Sequence, residues 1–265
     1  MDSSLLHELK DKLPHTWSAF VGRFGRFTQI QALAVEPLLA GENCILVSST
    51  ASGKTEAALM PLIERLKQTA KLKAQNSLHM VYIVPTRALT RDLARRLNQP
   101  LEQLAIAMQI KTGDEPALKS NRPPQLLLTT PESLDSLLAN RPRMLKDVSA
   151  VVLDEIHLLD NTARGDQLRV LLNRLRRLRR FAFSRGDSAN DEVQFCALSA
   201  TVQDPLAVAA RYFSAPVVIQ TTGQRGFDDL PHDARQRLAG QRRRRCPPAS
   251  RRRFFHRADA GATHD

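Results

Sequence analysis

An apolar run, Cys44-Ile45-Leu46-Val47, leads into Ser48-Ser49-Thr50-Ala51-Ser52-Gly53-Lys54-Thr55 and then into an alanine-containing stretch with helical spacing. Strand, loop of small residues and helix, in that order, build a phosphate cradle: the backbone N–H groups approach the anion closely and the helix N-terminus adds its positive dipole end. Thr50, Ala51, Ser52 and Gly53 would supply the loop, Lys54 would reach the β and γ phosphates, and the Thr55 hydroxyl would ligate Mg²⁺. One departure stands out, because Ser48 occupies the place where such loops open on glycine. A second chemical segment follows much later, where Val151-Val152-Leu153 runs into Asp154-Glu155-Ile156-His157. Two adjacent carboxylates at the end of an apolar strand are costly to bury without a cation, and a Mg²⁺-nucleotide supplies one. Asp154 is suited to hold the ion and Glu155 to orient and deprotonate an attacking water. Each segment alone has a plainer reading, a chance Gly-Lys-Thr loop or an acidic helix cap. Together they make accident a poor explanation.

These side chains need a scaffold, and the chain supplies one in regular alternation. Short apolar runs at Cys44 to Val47, Met80 to Val84, Ala105 to Ile110, Gln125 to Leu128, Ala150 to Leu153, Val193 to Leu198 and Pro216 to Ile219 read as strands buried on both faces. Helical patterns lie between them at Lys54 to Thr69, Arg87 to Leu104, Leu134 to Leu138, Gln167 to Arg180 and Pro205 to Tyr212. Strands alternating with helices imply an α/β fold, a parallel sheet with helices on both faces. In the Gln167 to Arg180 stretch the leucines recur at helical spacing, so its arginines read first as a solvated face. Ser184 to Asp191 reads as a polar loop.

Composition narrows the class. A 265-residue chain that is 42% hydrophobic and 25% charged has enough apolar material for a core and is not of disordered composition. No apolar run reaches membrane-spanning length, and Met1 to Lys12 lacks the apolar middle of a secretion signal, so the expectation is a cytoplasmic protein without a membrane partner. Three well-separated cysteines without a CxxC pair argue against a disulfide framework or zinc ribbon. The histidines His7, His15, His79, His232, His256 and His264 show no metal-ligand spacing. The net charge of +12 is compatible with a nucleic-acid partner, but half of it lies beyond Thr221, where eleven arginines and no lysine face five acids.

The motifs resemble those of the DExH-box helicases of superfamily 2. Asp154 to His157 looks like motif II and Ser199-Ala200-Thr201 like motif III. Pro85-Thr86-Arg87-Ala88-Leu89 resembles motif Ia and Thr130-Pro131-Glu132-Ser133 motif Ib, while Thr112-Gly113-Asp114 fits the short loop between those two. Thr28-Gln29-Ile30-Gln31 lies where the adenine-reading Gln of the Q motif is placed. The phosphate loop TASGKTEA and the stretch DEIHLLDNTARGDQL are similar to the large helicase-related DEAD/DEAH-box group. The resemblance covers about Phe20 to Thr222 and implies one RecA-like, P-loop NTPase lobe that binds ATP and Mg²⁺. It implies ATP contact by Gln31, catalysis by Lys54 and Glu155, and ion binding by Thr55 and Asp154. It further implies coupling by His157, Ser199 and Thr201, and contact with the sugar-phosphate backbone of DNA or RNA by Thr86, Arg87, Gly113, Thr130 and Pro131.

The expected organisation is an extension over residues 1–19, the ATP-binding lobe over 20–222, and a disordered, arginine-rich tail over 223–265. The residues after Thr222 are too few for a second RecA-like lobe, which such helicases use to bring arginines to the γ-phosphate, so feeble hydrolysis and no unwinding are expected of this chain alone. A translocating or remodelling ATPase, and a non-catalytic nucleic-acid-binding fragment, are the rival readings. The tail is either a basic arm or a chain that has left the family's reading frame near Gly223 to Gly226, and the abruptness of the change favours the second.

Overall fold

The computed structural model describes residues 3–22, 26–68, 77–113, 118, 123–183, 192–200 and 202–221. The expected tail, the polar loop 184–191, Asp114 and Thr201 lie outside the described residues. Seven strands form one sheet in which every pairing is parallel: β1 Cys44–Val47, β2 Met80–Ile83, β3 Met108–Lys111, β4 Leu126–Thr129, β5 Ala150–Leu153, β6 Gln194–Ser199 and β7 Val217–Gln220. Their order across the sheet is β3-β4-β2-β5-β6-β1-β7.

Successive residues of each strand enter different cores, as the two-residue period of a strand requires. Cys44, Leu46, Tyr82 and Val152 pack on one face, and Ile45, Val47, Val81, Val151 and Phe195 on the other. The first face is covered by α3 (Gln29–Leu39), α4 (Lys54–Gln68) and α5 (Arg87–Gln103). The second lies under α6 (Pro131–Asn140), α7 (Ala163–Phe183) and α8 (Pro205–Ala210). Burial on both faces explains why the inner strands β1, β2, β4 and β5 are nearly continuous apolar runs, whereas the edge strands β3 and β7 carry Gln109, Lys111 and Gln220. Among the described residues no helix is long and apolar enough to cross a membrane.

Three differences from the sequence reading have physical causes. β3 begins at Met108 rather than Ala105, because Ala105 adopts a left-handed φ of 54° and, with Ile106, closes the end of α5 through N–H bonds to Glu102 and Leu101. α6 starts earlier than the apolar pattern, with Thr130 as N-cap and Pro131 at the first position, where proline's missing N–H is harmless. The helices α1 (Ser3–Asp11), α2 (Trp17–Phe20) and α3 were not anticipated, and α3 holds Pro37 within a nearly all-round apolar sequence. The segment before Phe20 is no detached extension: Leu9 and Leu13 are buried in the same core as Leu46. Glu64 of α4, fully buried, accepts bonds from the backbone N–H groups of His15 and Thr16 and from the Thr16 hydroxyl, at 3.0, 2.9 and 2.9 Å, which ties that segment to the lobe. Trp17 and Phe27 meet edge-to-face, so both belong to packing.

Candidate functional site

Register places every chemical segment at one end of the sheet. Val47 pairs with Ser199 and Leu153 with Ala197, so the phosphate loop, the Asp-Glu-Ile-His segment and the end of β6 emerge side by side at the carboxyl edge. β6 lies between β1 and β5, leaving a gap between loop and acids that a ligand spans.

In the loop, Ala51 and Gly53 take positive φ values of 60° and 86°. Ser48 is absent from the positive-φ positions, so the strand-to-loop junction does not demand glycine. Its hydroxyl instead meets that of Ser52 across the loop. Lys54 is buried, and its Nζ donates to the carbonyls of Ser48 and Ser49 at 2.8 Å each. Burial lowers the Lys54 pKa, while the charges of Glu155 and then Asp154 act in the opposite sense, which places the ammonium and the acid pair in one electrostatic neighbourhood. Gln31 makes two contacts: its Oε1 accepts from the Thr28 N–H at 2.9 Å, closing the start of α3, and its Nε2 donates to the Gly53 carbonyl at 3.4 Å. The same amide would lie 2.5 Å from a Cβ at Gly53.

Asp154 is held by two donors, its own neighbour's N–H (Glu155) at 3.0 Å and the hydroxyl of Tyr82 at 3.0 Å. Burial nevertheless pushes the Asp154 pKa up to about 6, against the Tyr82 bond and with the help of Glu155. Tyr82 is fully buried with the Thr55 side chain beside its phenol, so the hydroxyl lies between the two residues expected to hold the ion. Sequence reading missed it, although a phenol within an aliphatic strand needs a polar partner and was a usable signal.

Glu155 occupies the left-handed region at φ 43°, ψ 48°, a backbone state that is unfavourable for a residue with a Cβ. His157 Nδ1 lies 3.3 Å from the Ser199 hydroxyl, 3.4 Å from the Ala200 N–H and 3.3 Å from Glu155 Oε2. The Ala200 N–H needs a lone pair on Nδ1, so the ring proton belongs on Nε2 and Glu155 receives no hydrogen bond from this histidine. Among the described residues no donor reaches Glu155 Oε2, which is buried. The structure thus brings His157 and Ser199 together; Thr201 lies outside the described residues.

The other half of the carboxyl edge, after β2, β4 and β3, bounds an open cleft of about 520 Å³. Thr86, Arg87, Gly113 and Thr130 all line it, as the motif assignment requires. A Cβ at Gly113 would lie 2.7 Å from the Arg87 guanidinium, so the two positions are neighbours. Pro131 differs: it is buried at the start of α6 and does not line the cleft, so its part is to begin the helix behind Thr130. Lys111, Ser133, Ser136, Glu132 and Arg164 also line the cleft, although the motif reading assigns them no contact. They come from segments far apart in sequence and meet only through the strand order.

A parallel seven-stranded sheet with a phosphate loop on β1 and an acid pair on β5 defines the chain as a RecA-like nucleotide-binding lobe. The family model for the DEAD/DEAH box helicase matches residues 28–208, and the chain belongs to that family. It is 34% identical over 213 residues to the ATP-dependent helicase Lhr-Core protein 2 of Thermococcus barophilus, a match covering 73% of this chain and 23% of the relative. With the Lhr helicase/uracil glycosylase of Escherichia coli it shares 31% over 230 residues, 78% of this chain and 14% of the relative. Among solved structures, Mycobacterium smegmatis helicase Lhr bound to ssDNA and AMP-PNP superposes with a TM-score of 0.65 at 28% identity, covering 84% of this chain and 28% of that one. The chain spans less than a quarter of the length of these two curated relatives.

Proposed function

We propose that this chain acts as the ATP-binding lobe of an ATP-dependent helicase that grips one strand of DNA or RNA by its sugar-phosphate backbone. The observation that carries this reading is the division of a single sheet edge: β5-β6-β1 present the phosphate loop and acids, and β3-β4-β2 present the cleft. The two halves meet at the β2–β5 seam, where Tyr82 bonds Asp154. The names of the Lhr relatives, and the AMP-PNP and ssDNA of the mycobacterial structure, support the same assignment.

The residues present fit a nucleotide with Mg²⁺. Asp154 carries a desolvated carboxylate that a cation would relieve, and the Thr55 hydroxyl beside the Tyr82 phenol would offer its lone pairs to the same ion. The ion would neutralise charge on the β and γ phosphates. Lys54 would exchange the two loop carbonyls for phosphate oxygens, at little cost in reorganisation because it already points into the loop. Glu155, with an oxygen that no donor among the described residues occupies, is placed to take a proton from the water that attacks the γ-phosphorus as the bond to the ADP oxygen breaks. His157, beside this acid, contacts Ser199 and the Ala200 N–H at the end of β6, the contact through which nucleotide state would reach the rest of the edge.

Strand binding is tested by titrating a labelled single-stranded oligonucleotide at several salt concentrations. Backbone recognition predicts affinity that falls steeply with salt and little with sequence. Arg87→Ala is expected to weaken all sequences alike by roughly tenfold and to lower the salt slope by about one. Salt-insensitive binding, or an Arg87→Ala protein equal to wild type, would contradict the assignment.

A further inference from the structure

Arg164, the second residue of α7, lines the cleft but has no part in the scheme above. Its Nε donates to Glu132 Oε1 at 2.7 Å, and its Nη2 donates to the carbonyl of Pro85 at 2.8 Å. These acceptors belong to two different walls. Pro85 opens the turn that carries Thr86 and Arg87, and Glu132 lies in the first turn of α6, two residues after Thr130. One guanidinium therefore fixes the spacing of two elements that must face the same strand, a task for which its planar, forked geometry is suited and a lysine's single ammonium is not.

Glu132 makes that placement necessary. It is the one carboxylate among the described residues lining the cleft, and half of its side chain is exposed, at 52%. Burial acts to raise its pKa, but the hydrogen bond and charge of Arg164, together with hydrogen bonds from its own backbone N–H and the Thr130 side chain, hold it below the usual glutamate value, so the negative charge persists. A phosphate chain entering the cleft would meet that charge at close range if nothing cancelled it.

The sequence around Arg164 is built to bring it there. A Cβ at Gly165 would lie 2.2 Å from the Leu159 carbonyl oxygen and 2.8 Å from the Tyr212 hydroxyl, so only glycine lets the first turn of α7 sit this close to the preceding turn. Thr162 secures the same junction, donating to the Leu159 carbonyl at 2.6 Å and accepting from the Gly165 N–H at 3.2 Å. The Ala-Arg-Gly run after the acid pair thus has a mechanical reason.

We propose that Arg164 is a positioning residue of the strand-binding cleft, holding the turn after β2 against the start of α6 and masking the charge of Glu132 so that a phosphate backbone is accepted. This rests on the reading of the cleft as a nucleic-acid site. The test uses the full 265-residue chain and a fluorescein-labelled, mixed-sequence single-stranded DNA followed by anisotropy, with Arg87→Ala, Arg164→Ala, Arg164→Lys, Glu132→Gln and the double variant Arg164→Ala/Glu132→Gln. Arg164→Ala is expected to weaken binding about tenfold, as removal of a charge partner from a site facing phosphate implies. Arg164→Lys should fall between Arg164→Ala and wild type, Glu132→Gln should weaken binding less than Arg164→Ala because its amide oxygen still accepts from the guanidinium, and the double variant should recover part of the lost affinity. That recovery separates charge masking from a fold defect, which deleting Glu132's charge would not repair. A double variant as weak as Arg164→Ala overturns the masking role. An Arg164→Ala protein that binds like wild type while Arg87→Ala is weakened overturns the proposal and leaves the cleft assignment standing. Failure of wild type to bind, or an unaffected Arg87→Ala, removes the cleft assignment and the proposal with it.

Discussion

Glu155→Gln should lower ATP turnover by about 10² to 10⁴ while ATP continues to bind, because the amide keeps the shape of the side chain and loses the proton acceptor. The structure gives this residue the required properties: a carboxylate oxygen buried without a donor among the described residues, on a backbone held in the left-handed region beside the loop lysine. Single-turnover measurement with radiolabelled ATP separates the chemical step from binding even when the absolute rate is small. Turnover unchanged by the substitution would place the base elsewhere. Tyr82→Phe is the informative companion, since it removes the shared hydroxyl between Thr55 and Asp154 and leaves Glu155 untouched.

The second large effect concerns stability. Glu64→Ala should destabilise the lobe by about 3 kcal/mol, because it strands the buried N–H and hydroxyl of Thr16 and the partly buried N–H of His15 that the carboxylate now satisfies. For a domain of this size that corresponds to a melting temperature lower by roughly 6–12 °C. Calorimetry on the two proteins decides it, and a shift of a degree or less would show that the N-terminal segment is not anchored through Glu64.

Much of this architecture is readable from residue order because a parallel sheet covered on both faces forces its inner strands to be nearly unbroken apolar runs. Ala150-Val151-Val152-Leu153 and Cys44-Ile45-Leu46-Val47 form strands with those same limits. What escapes such reading is whatever depends on contact between distant segments. The helices before β1 lack a periodic signature: α3 is apolar almost all round and contains Pro37, and the segment that Glu64 anchors gives no local sign of the buried carboxylate waiting for it. Ser48 illustrates the reverse error. Its type breaks the expected glycine pattern, yet the backbone there needs no positive φ, so the departure carries no structural penalty.

The site divides along the same line. The places of Lys54, Thr55, Asp154, Glu155 and His157 follow from local order, since each lies in the loop or first helical turn that comes directly after β1 or β5. Tyr82 and Arg164 act across the β2–β5 seam, and Lys111 and Ser136 reach the cleft only because β4 pairs with β2 and β3 with β4. Pro131, whose motif suggested strand contact, proves to be a helix starter because the first helical position is where proline fits best.

Whether the loop lysine and the acid pair enclose one Mg²⁺-bound triphosphate is decided by equilibrium titration of labelled ATP with Mg²⁺ against wild type and Lys54→Ala. Loss of a charge-assisted contact to phosphate predicts affinity weaker by about 10- to 100-fold in the variant. Equal affinity for the two proteins would contradict it.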